Sequence, residues 1–264
     1  MQDWNAAVYH RVSNPQLEWG LPVLARLPLE GDEHVLDIGC GTGRLTEKLL
    51  DRVRQGRVTA LDRSASMIAT ARDHLLPRYT GRVGFVQADA AMLPFVAAAD
   101  AVFSTATFHW VLDHERLFAS IFAALKPGGR LVAQAGGGPN LHRVHERCAT
   151  LMVEPPFAES FAQWSSPWEF ADADTTARRL RDAGFEEIGT SLVQSPVHQP
   201  TAQAYREFVE HVVCRPHLSH LPTADLRDLF LDRLTEAAAN DTPPFELDYW
   251  RLNLDARKPA RLRA

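Results

Sequence analysis

Cysteine is scarce in this chain, with 3 residues in 264. Cys40, Cys148 and Cys214 stand far apart in the sequence. An odd and dispersed set argues against both a disulfide framework and a zinc ribbon, and it fits a reducing, cytoplasmic compartment. No basic amino-terminal stretch leads into an apolar one, and no uncharged run approaches the roughly 20 residues that cross a bilayer. Positive charge is not in excess either: 28 Lys and Arg against 33 Asp and Glu give a formal net charge of -5. Neither a nucleic acid nor a membrane surface is therefore an expected partner. Internal repeats and low-complexity tracts are missing as well. What remains is ordinary globular composition, 45% hydrophobic and 23% charged, enough for a sizeable core.

From His34 to Gly138 short β-rich runs alternate with amphipathic stretches, the pattern of βαβ units and a parallel sheet. The expected strands are His34 to Ile38, Arg57 to Leu61, Val83 to Gln87, Ala101 to Thr105 and Arg130 to Gln134. Leu45, Leu49 and Val53 recur at helical spacing between the first two strands. Met67, Ile68, Ala71 and Leu75 do so between the next two, behind an N-cap at Ser64. A helix from Asp113 to Leu125 is expected to end at the Pro127-Gly128-Gly129 breaker before the fifth strand. The chain is less regular after Gly138. A helix from about Thr175 to Gly184 and a sixth strand from Phe185 to Gln194 follow there, then helices capped by Thr201 and Thr223. Glu246 to Arg257 alternates as a last strand with one apolar face.

The segment Val35-Leu36-Asp37-Ile38-Gly39-Cys40-Gly41-Thr42-Gly43 runs an apolar strand into alternating glycines and then into a helix. Glycine takes left-handed angles and lets the backbone approach a ligand closely at a helix amino end. A dinucleotide fingerprint needs its third glycine at position 44, where this chain has Arg44. A nicotinamide or flavin pyrophosphate is disfavoured on that ground. Asp62 ends the second strand about 20 residues on, where a carboxylate accepts from both ribose hydroxyls of a nucleoside. Asp89 ends the third strand, placed for an adenine amino group, with Met67 placed to pack on the ring. Asp37 faces the other end of the ligand, where it would attract a positively charged amino acid moiety.

These motifs resemble the class I S-adenosylmethionine-dependent methyltransferases. Val35 to Gly43 looks like their first motif. Leu61-Asp62, Ala88-Asp89, Ser104 to Trp110 and Leu125-Lys126-Pro127-Gly128-Gly129 look like the later ones, in order. The resemblance implies an α/β, Rossmann-like, seven-stranded, mostly parallel sheet with an antiparallel last strand and helices on both faces. It implies S-adenosyl-L-methionine as cofactor, held by Asp37, Gly39, Gly41, Gly43, Asp62, Arg63, Met67, Asp89, Ala90 and Thr105.

Asp3-Trp4-Asn5 with Tyr9, Phe108-His109-Trp110 and Arg251-Leu252-Asn253-Leu254 look more narrowly like the trans-aconitate and juvenile-hormone-acid methyltransferase group. That likeness implies a single methyltransferase domain over 1–264. Its parts would be lid helices in 1–30, a cofactor core over 31–138, and substrate-cap insertions at 139–174 and 199–244. Tyr9, Gln16 and Trp110 would bind a small-molecule acceptor in a monomer or homodimer.

A sulfonium methyl is already activated, so such an enzyme chiefly positions the acceptor atom in a water-poor pocket. A carboxylate acceptor needs no base, whereas a hydroxyl or carbon acceptor does. His109 is the candidate base or orienting donor, and an oxygen acceptor is the leading expectation. Each assignment has a plainer counterpart: Asp62 as a helix cap, Asp89 as a loop acid, His109 as packing, and Trp110 and Tyr9 as core aromatics. His142 with His145, and His211 with His217 and His220, lack a recognisable ligand frame, so no metal is expected. The alternatives are a catalytically silent cofactor-binding member of the fold and a nucleotide-dependent oxidoreductase.

Overall fold

A computed structural model describes residues 14–260, with side chains from Glu18 onward. Tyr9 and the side chain of Gln16 lie outside the described residues. The seven-stranded sheet has the order β3-β2-β1-β4-β5-β9-β6. Its strands are β1 (His34–Ile38), β2 (Arg57–Asp62), β3 (Val83–Gln87), β4 (Ala99–Thr105), β5 (Leu125–Gly136), β6 (Glu186–Gln194) and β9 (Trp250–Arg257). β1 to β5 pair in parallel, and β9 runs antiparallel between β5 and β6.

Every residue of β1 is buried, as a strand covered on both faces requires. On one face Val35, Val58, Phe103 and Val132 meet α1 (Asn14–Arg26), α2 (Arg44–Arg52) and α3 (Ala65–Tyr79). On the other, Leu36, Val102 and Leu131 meet α4 (His114–Ala124) and α6 (Ala173–Asp182). The period-2 alternation of strand side chains thus feeds two apolar layers. The Ser64 hydroxyl caps α3 by accepting from Met67 N–H, and Asp113 caps α4 through Arg116 N–H at 2.9 Å.

A separate apolar cluster lies beyond the carboxyl edge of the sheet. It joins α5 (His142–Met152), α7 (Ala202–Phe208), α8 (Arg215–Leu218) and α9 (Ala224–Ala239) around Phe157, Tyr205, Phe230 and Leu234. Thr201 and Thr223 cap α7 and α9 as expected. A two-stranded ribbon of β7 (Val197–His198) and β8 (Glu246–Leu247) closes its side.

Three expectations are corrected in detail. The Pro127-Gly128-Gly129 segment lies inside β5, where Ala99 pairs with Leu125 and Ala101 with Arg130, so the breaker is looped out of the ladder. Glu246 to Arg257 divides into β8 and β9, because residues 248 and 249 leave the ladder between them. α5 falls in the stretch that read as irregular. Cys148 on α5 and Cys214 before α8 meet with sulfurs 3.6 Å apart, despite 66 residues of separation.

Candidate active site

The strand order reverses between β1 and β4, and in an open α/β sheet the crevice for a ligand lies outside the carboxyl ends of the strands at that point. Here the Ser104 hydroxyl donates to the Ile38 carbonyl at 2.8 Å, tying the two strand ends together. The turn after β1 begins with Gly39 N–H and Cys40 N–H both donating to Leu61 O, at 2.7 and 2.8 Å. Gly39, Gly41 and Gly43 all have positive φ, 76°, 53° and 86°, but they are glycine for different reasons. A Cβ on Gly39 would collide with Thr107 after β4, and one on Gly43 would press on Leu75 of α3 at 2.9 Å. A Cβ on Gly41 would meet nothing within 4 Å. Gly41 is therefore the residue beside open space, where a ligand can lie against bare backbone.

Two acids flank that space. Asp62 takes Gly41 N–H on one carboxylate oxygen at 3.0 Å and Ser64 N–H on the other at 2.9 Å. The Arg63 N–H also bonds to this carboxylate, which leaves about one of its four acceptor positions for a ligand. Burial raises the Asp62 pKa despite those donors. Asp37 is 2% exposed and accepts from the Thr46 hydroxyl at 2.6 Å. Burial pushes its pKa up to about 7, so its ionised form lacks the cation that would stabilise it. Asp89 is exposed and accepts from Ala91 N–H at 2.9 Å, capping the turn that starts at Ala90. Met67 is 4% exposed, Arg63 is exposed, and Thr105 is half-buried with its carbonyl accepting from the Thr107 hydroxyl. The open glycine, the Asp62 carboxylate beside it and the buried Asp37 carboxyl suit a nucleoside joined to a cationic amino acid.

His109 follows β4 and sits beside a cavity of about 70 Å³. Its Nδ1 accepts from Gly136 N–H at 3.2 Å. A backbone N–H can only donate, so Nδ1 carries the lone pair and the proton is on Nε2. Burial pushes the His109 pKa down to about 3, with the positive charge of Arg251 adding to the effect. Its carbonyl accepts from Glu169 N–H at 3.0 Å, and Phe170 stacks on its ring. Gly136 is required for closeness, because a Cβ there would meet Asn140 Nδ2 at 2.8 Å and Phe170 at 3.0 Å. Trp110 is half-buried and lines the same cavity, as do Ala106 and Arg251. The Arg251 guanidinium carbon lies 3.5 Å from the Trp19 ring centre and 4.4 Å from that of Tyr249.

Sequence reading gave no site role to Gly136, and quoted Arg251 only within the closing Arg251-Leu252-Asn253-Leu254 segment. Arg251 looks like one polar position in a strand, and its burial at 5% exposure is the signal that sets it apart. Cys148, Cys214 and His217 bring three donor atoms within 4.8 Å of one another, all buried. That grouping offers three of the four ligands of a closed zinc site.

A family described as a methyltransferase domain matches residues 35–129, from β1 into β5. Trans-aconitate 2-methyltransferase of Acidovorax sp. strain JS42 is 31% identical over 243 residues, covering 89% of both chains. The chain belongs to the S-adenosylmethionine-dependent methyltransferases of the trans-aconitate methyltransferase group. As a methyltransferase of this group it uses S-adenosyl-L-methionine as cofactor. Phosphoethanolamine N-methyltransferase 2 of Haemonchus contortus, solved with S-adenosyl-L-methionine, shares the fold with a TM-score of 0.59 at 20% identity. That match covers 92% of this chain and 52% of the other. The cyclase SpnF matches with a TM-score of 0.61 at 23% identity, over 92% of this chain and 82% of its own. The fold by itself therefore does not fix the reaction, and the acceptor must be argued from the site. No helix among the described residues is long and apolar enough to cross a membrane.

The state of Asp37 has a measurable consequence. Its folded pKa of about 7 exceeds the ordinary 3.8, so the native state holds this proton more tightly than the unfolded chain. Its contribution to stability is full below the ordinary value and is lost as pH rises through about 7, above which the unfavourable buried charge is formed. Asn at this position still accepts from Thr46 but carries no charge. Without cofactor, Asp37→Asn is expected to stabilise the protein by about 1–4 kcal/mol at pH 9 and by nearly nothing at pH 4. Urea unfolding at the two pH values measures this, and an equal difference at both would contradict the assignment.

Proposed function

We propose that this chain transfers a methyl group from S-adenosyl-L-methionine to a carboxylate oxygen of a small organic acid. The observation that carries the reading is the hydrogen bond from Gly136 N–H to His109 Nδ1. It leaves His109 as a neutral donor through Nε2, beside the fixed positive charge of Arg251. A donor and a cation suit an acceptor that arrives already ionised. A hydroxyl acceptor would need a base, and neither His109 nitrogen is free to take a proton while the Gly136 bond stands. Curated relatives named trans-aconitate 2-methyltransferase support the same choice of acceptor group.

The geometry of the glycine turn supports a set of cofactor residues. Asp62 would accept from a ribose hydroxyl with the position that the N–H groups of Gly41, Arg63 and Ser64 leave open. Asp37 would hold the amino end of the amino acid moiety, whose positive charge offsets its burial. Gly39, Gly41 and Gly43 would shape the turn, and Arg63, Met67, Asp89, Ala90 and Thr105 would border the adenine and ribose. When bound, the sulfonium supplies a methyl carbon open to in-line displacement. The work left to the chain is to exclude water and to aim one carboxylate oxygen, which His109 and Arg251 would do by fixing the acceptor. Trp110 would wall the acceptor side. Residues 139–174 and 199–244 would serve as its cap, with 1–30 as a lid and 31–138 as the cofactor core of one domain.

Asp62→Ala is expected to weaken S-adenosylhomocysteine binding by about 1–3 kcal/mol, the scale for removing a buried hydrogen-bonded acceptor. Unchanged affinity in isothermal titration calorimetry would overturn the ribose assignment. His109→Ala is expected to lower kcat about 100-fold, as for loss of an oriented donor. His109→Gln offers an amide donor but no base, and should return kcat to within about tenfold of the parent. Equal losses in both variants would restore the general-base reading and, with it, a hydroxyl acceptor.

A further inference from the structure

Away from the cofactor turn, cysteine and histidine meet in the apolar cluster beyond the sheet. Cys148 on α5 and Cys214 before α8 bring their sulfurs to 3.6 Å, and a nitrogen of His217 on α8 lies with them inside 4.8 Å. All three side chains are buried, the cysteines fully and His217 at 2% exposure. Cys214 arrives there through a π-helical turn at Val209–Val213, a rare and wide turn, with its N–H donating to Val209 O at 2.7 Å. Polar atoms in this part of the core go unsatisfied. His217 Nδ1, His145 Nε2 and the Tyr205 hydroxyl are all buried without a hydrogen-bond partner. Buried polar groups are nearly always hydrogen-bonded, and a gathering of exceptions marks a place where an ion or ligand can bind.

The donors are spaced as in a tetrahedral metal site and not as in a disulfide. Two thiolates held about 2.3 Å from one zinc ion lie roughly 3.8 Å apart, whereas disulfide sulfurs lie about 2.05 Å apart. The observed 3.6 Å is close to the first figure. A fourth donor stands nearby. His145 precedes Cys148 by three residues on α5, a spacing that shares one helix face, and His217 follows Cys214 by the same step. The His145 and His217 ring centres are 6.2 Å apart. Two imidazoles on one zinc ion have theirs roughly 5 Å apart, so a shift of about 1 Å brings His145 into the set. Two thiolates and two imidazoles make up a closed structural zinc site. Such soft donors select against Mg²⁺ and Ca²⁺, which take oxygen ligands.

We propose that Cys148, Cys214, His217 and His145 hold one Zn²⁺ ion, which clasps α5 to the chain entering α8. Binding releases both thiol protons and leaves two thiolates and two imidazoles on a dication, so the site is neutral overall. Four protein ligands leave no open position, and the ion is therefore structural, with no step of its own in methyl transfer. It bears on the acceptor side through shape. The His217 ring stacks on Trp164 at 4.6 Å, and His145, Trp164 and His217 all face a chamber of about 500 Å³ that shares His145 with the cavity at His109. The clasp does not depend on which acceptor the enzyme uses.

The test uses the full chain, reduced with a phosphine, freed of metal with EDTA and titrated with Co²⁺. The folded parent is expected to bind one Co²⁺ per chain, with thiolate-to-metal charge transfer in the near ultraviolet and the intense visible bands of a tetrahedral site. Zn²⁺ should displace it. Cys148→Ser and Cys214→Ser should each lower the charge-transfer band by about half, since one of two thiolates is lost. Each should also weaken Zn²⁺ by at least about tenfold, as should His145→Ala. His211→Ala and His220→Ala, at exposed positions, should leave the affinity unchanged. Zn²⁺ at about a hundredfold excess over its Kd should raise the melting temperature of the parent by about 5 °C or more. Absence of the charge-transfer band from the reduced, folded parent would overturn the site, and this reading needs no variant to fold. So would Zn²⁺ binding that survives loss of both cysteines, and an unaltered melting temperature would overturn the clasp. Unchanged affinity in His145→Ala would overturn the fourth ligand and leave a three-donor site.

Discussion

The reversal of strand order between β1 and β4 is the constraint on which the site depends. Helices on the two sides of that point cover opposite faces of the sheet, so the loops leaving β1 and β4 diverge over a crevice that no side chain of the sheet fills. The chain then narrows the crevice from both sides. Gly39 lets Thr107 come close, and Ser104 bridges to Ile38. One loop carries the open glycine, between Asp37 of β1 and Asp62 at the end of β2, and the other carries His109. The groups proposed for cofactor and acceptor are neighbours because the two loops are.

The second constraint is electrostatic. A methyl transfer of this kind asks little of a protein in proton chemistry and much in placement. The groups that surround the crevice are arranged accordingly. Asp37 and Asp62 are buried carboxylates whose pKa is raised by desolvation, on the side proposed for the cofactor. On the acceptor side, His109 is held neutral and Arg251 lies between the Trp19 and Tyr249 rings. Strongly shifted titratable groups gathered at one cleft are the expected mark of a functional site.

What the sequence makes legible is what one strand, turn and helix can encode. Asp37, Gly39, Gly41, Gly43 and Asp62 stand where their spacing puts them, since each position is set by its place along a single βαβ unit. The caps at Ser64, Asp113, Thr201 and Thr223 are local in the same way. The acceptor side is not local. Trp19, His109, Gly136, Trp168 and Arg251 come from five separate stretches and meet only once the sheet is assembled. The same holds for Cys148 and Cys214, whose contact depends on how α5 packs against the chain before α8. α5 itself was hidden because its helix starts from Leu141 in a left-handed conformation, without a capping side chain to announce it. The proton on His109 is the least legible feature of all, because a backbone N–H on a distant strand decides it.

That proton is also the most direct point of attack. The nitrogen-15 resonances of the His109 imidazole, assigned by their loss in His109→Gln, report which nitrogen is protonated and whether the ring titrates. The account predicts an unprotonated Nδ1 and a protonated Nε2, both unchanged from about pH 5 to 8. A protonated Nδ1, or a ring that becomes cationic near the ordinary 6.5, would contradict it and return His109 to the role of general base.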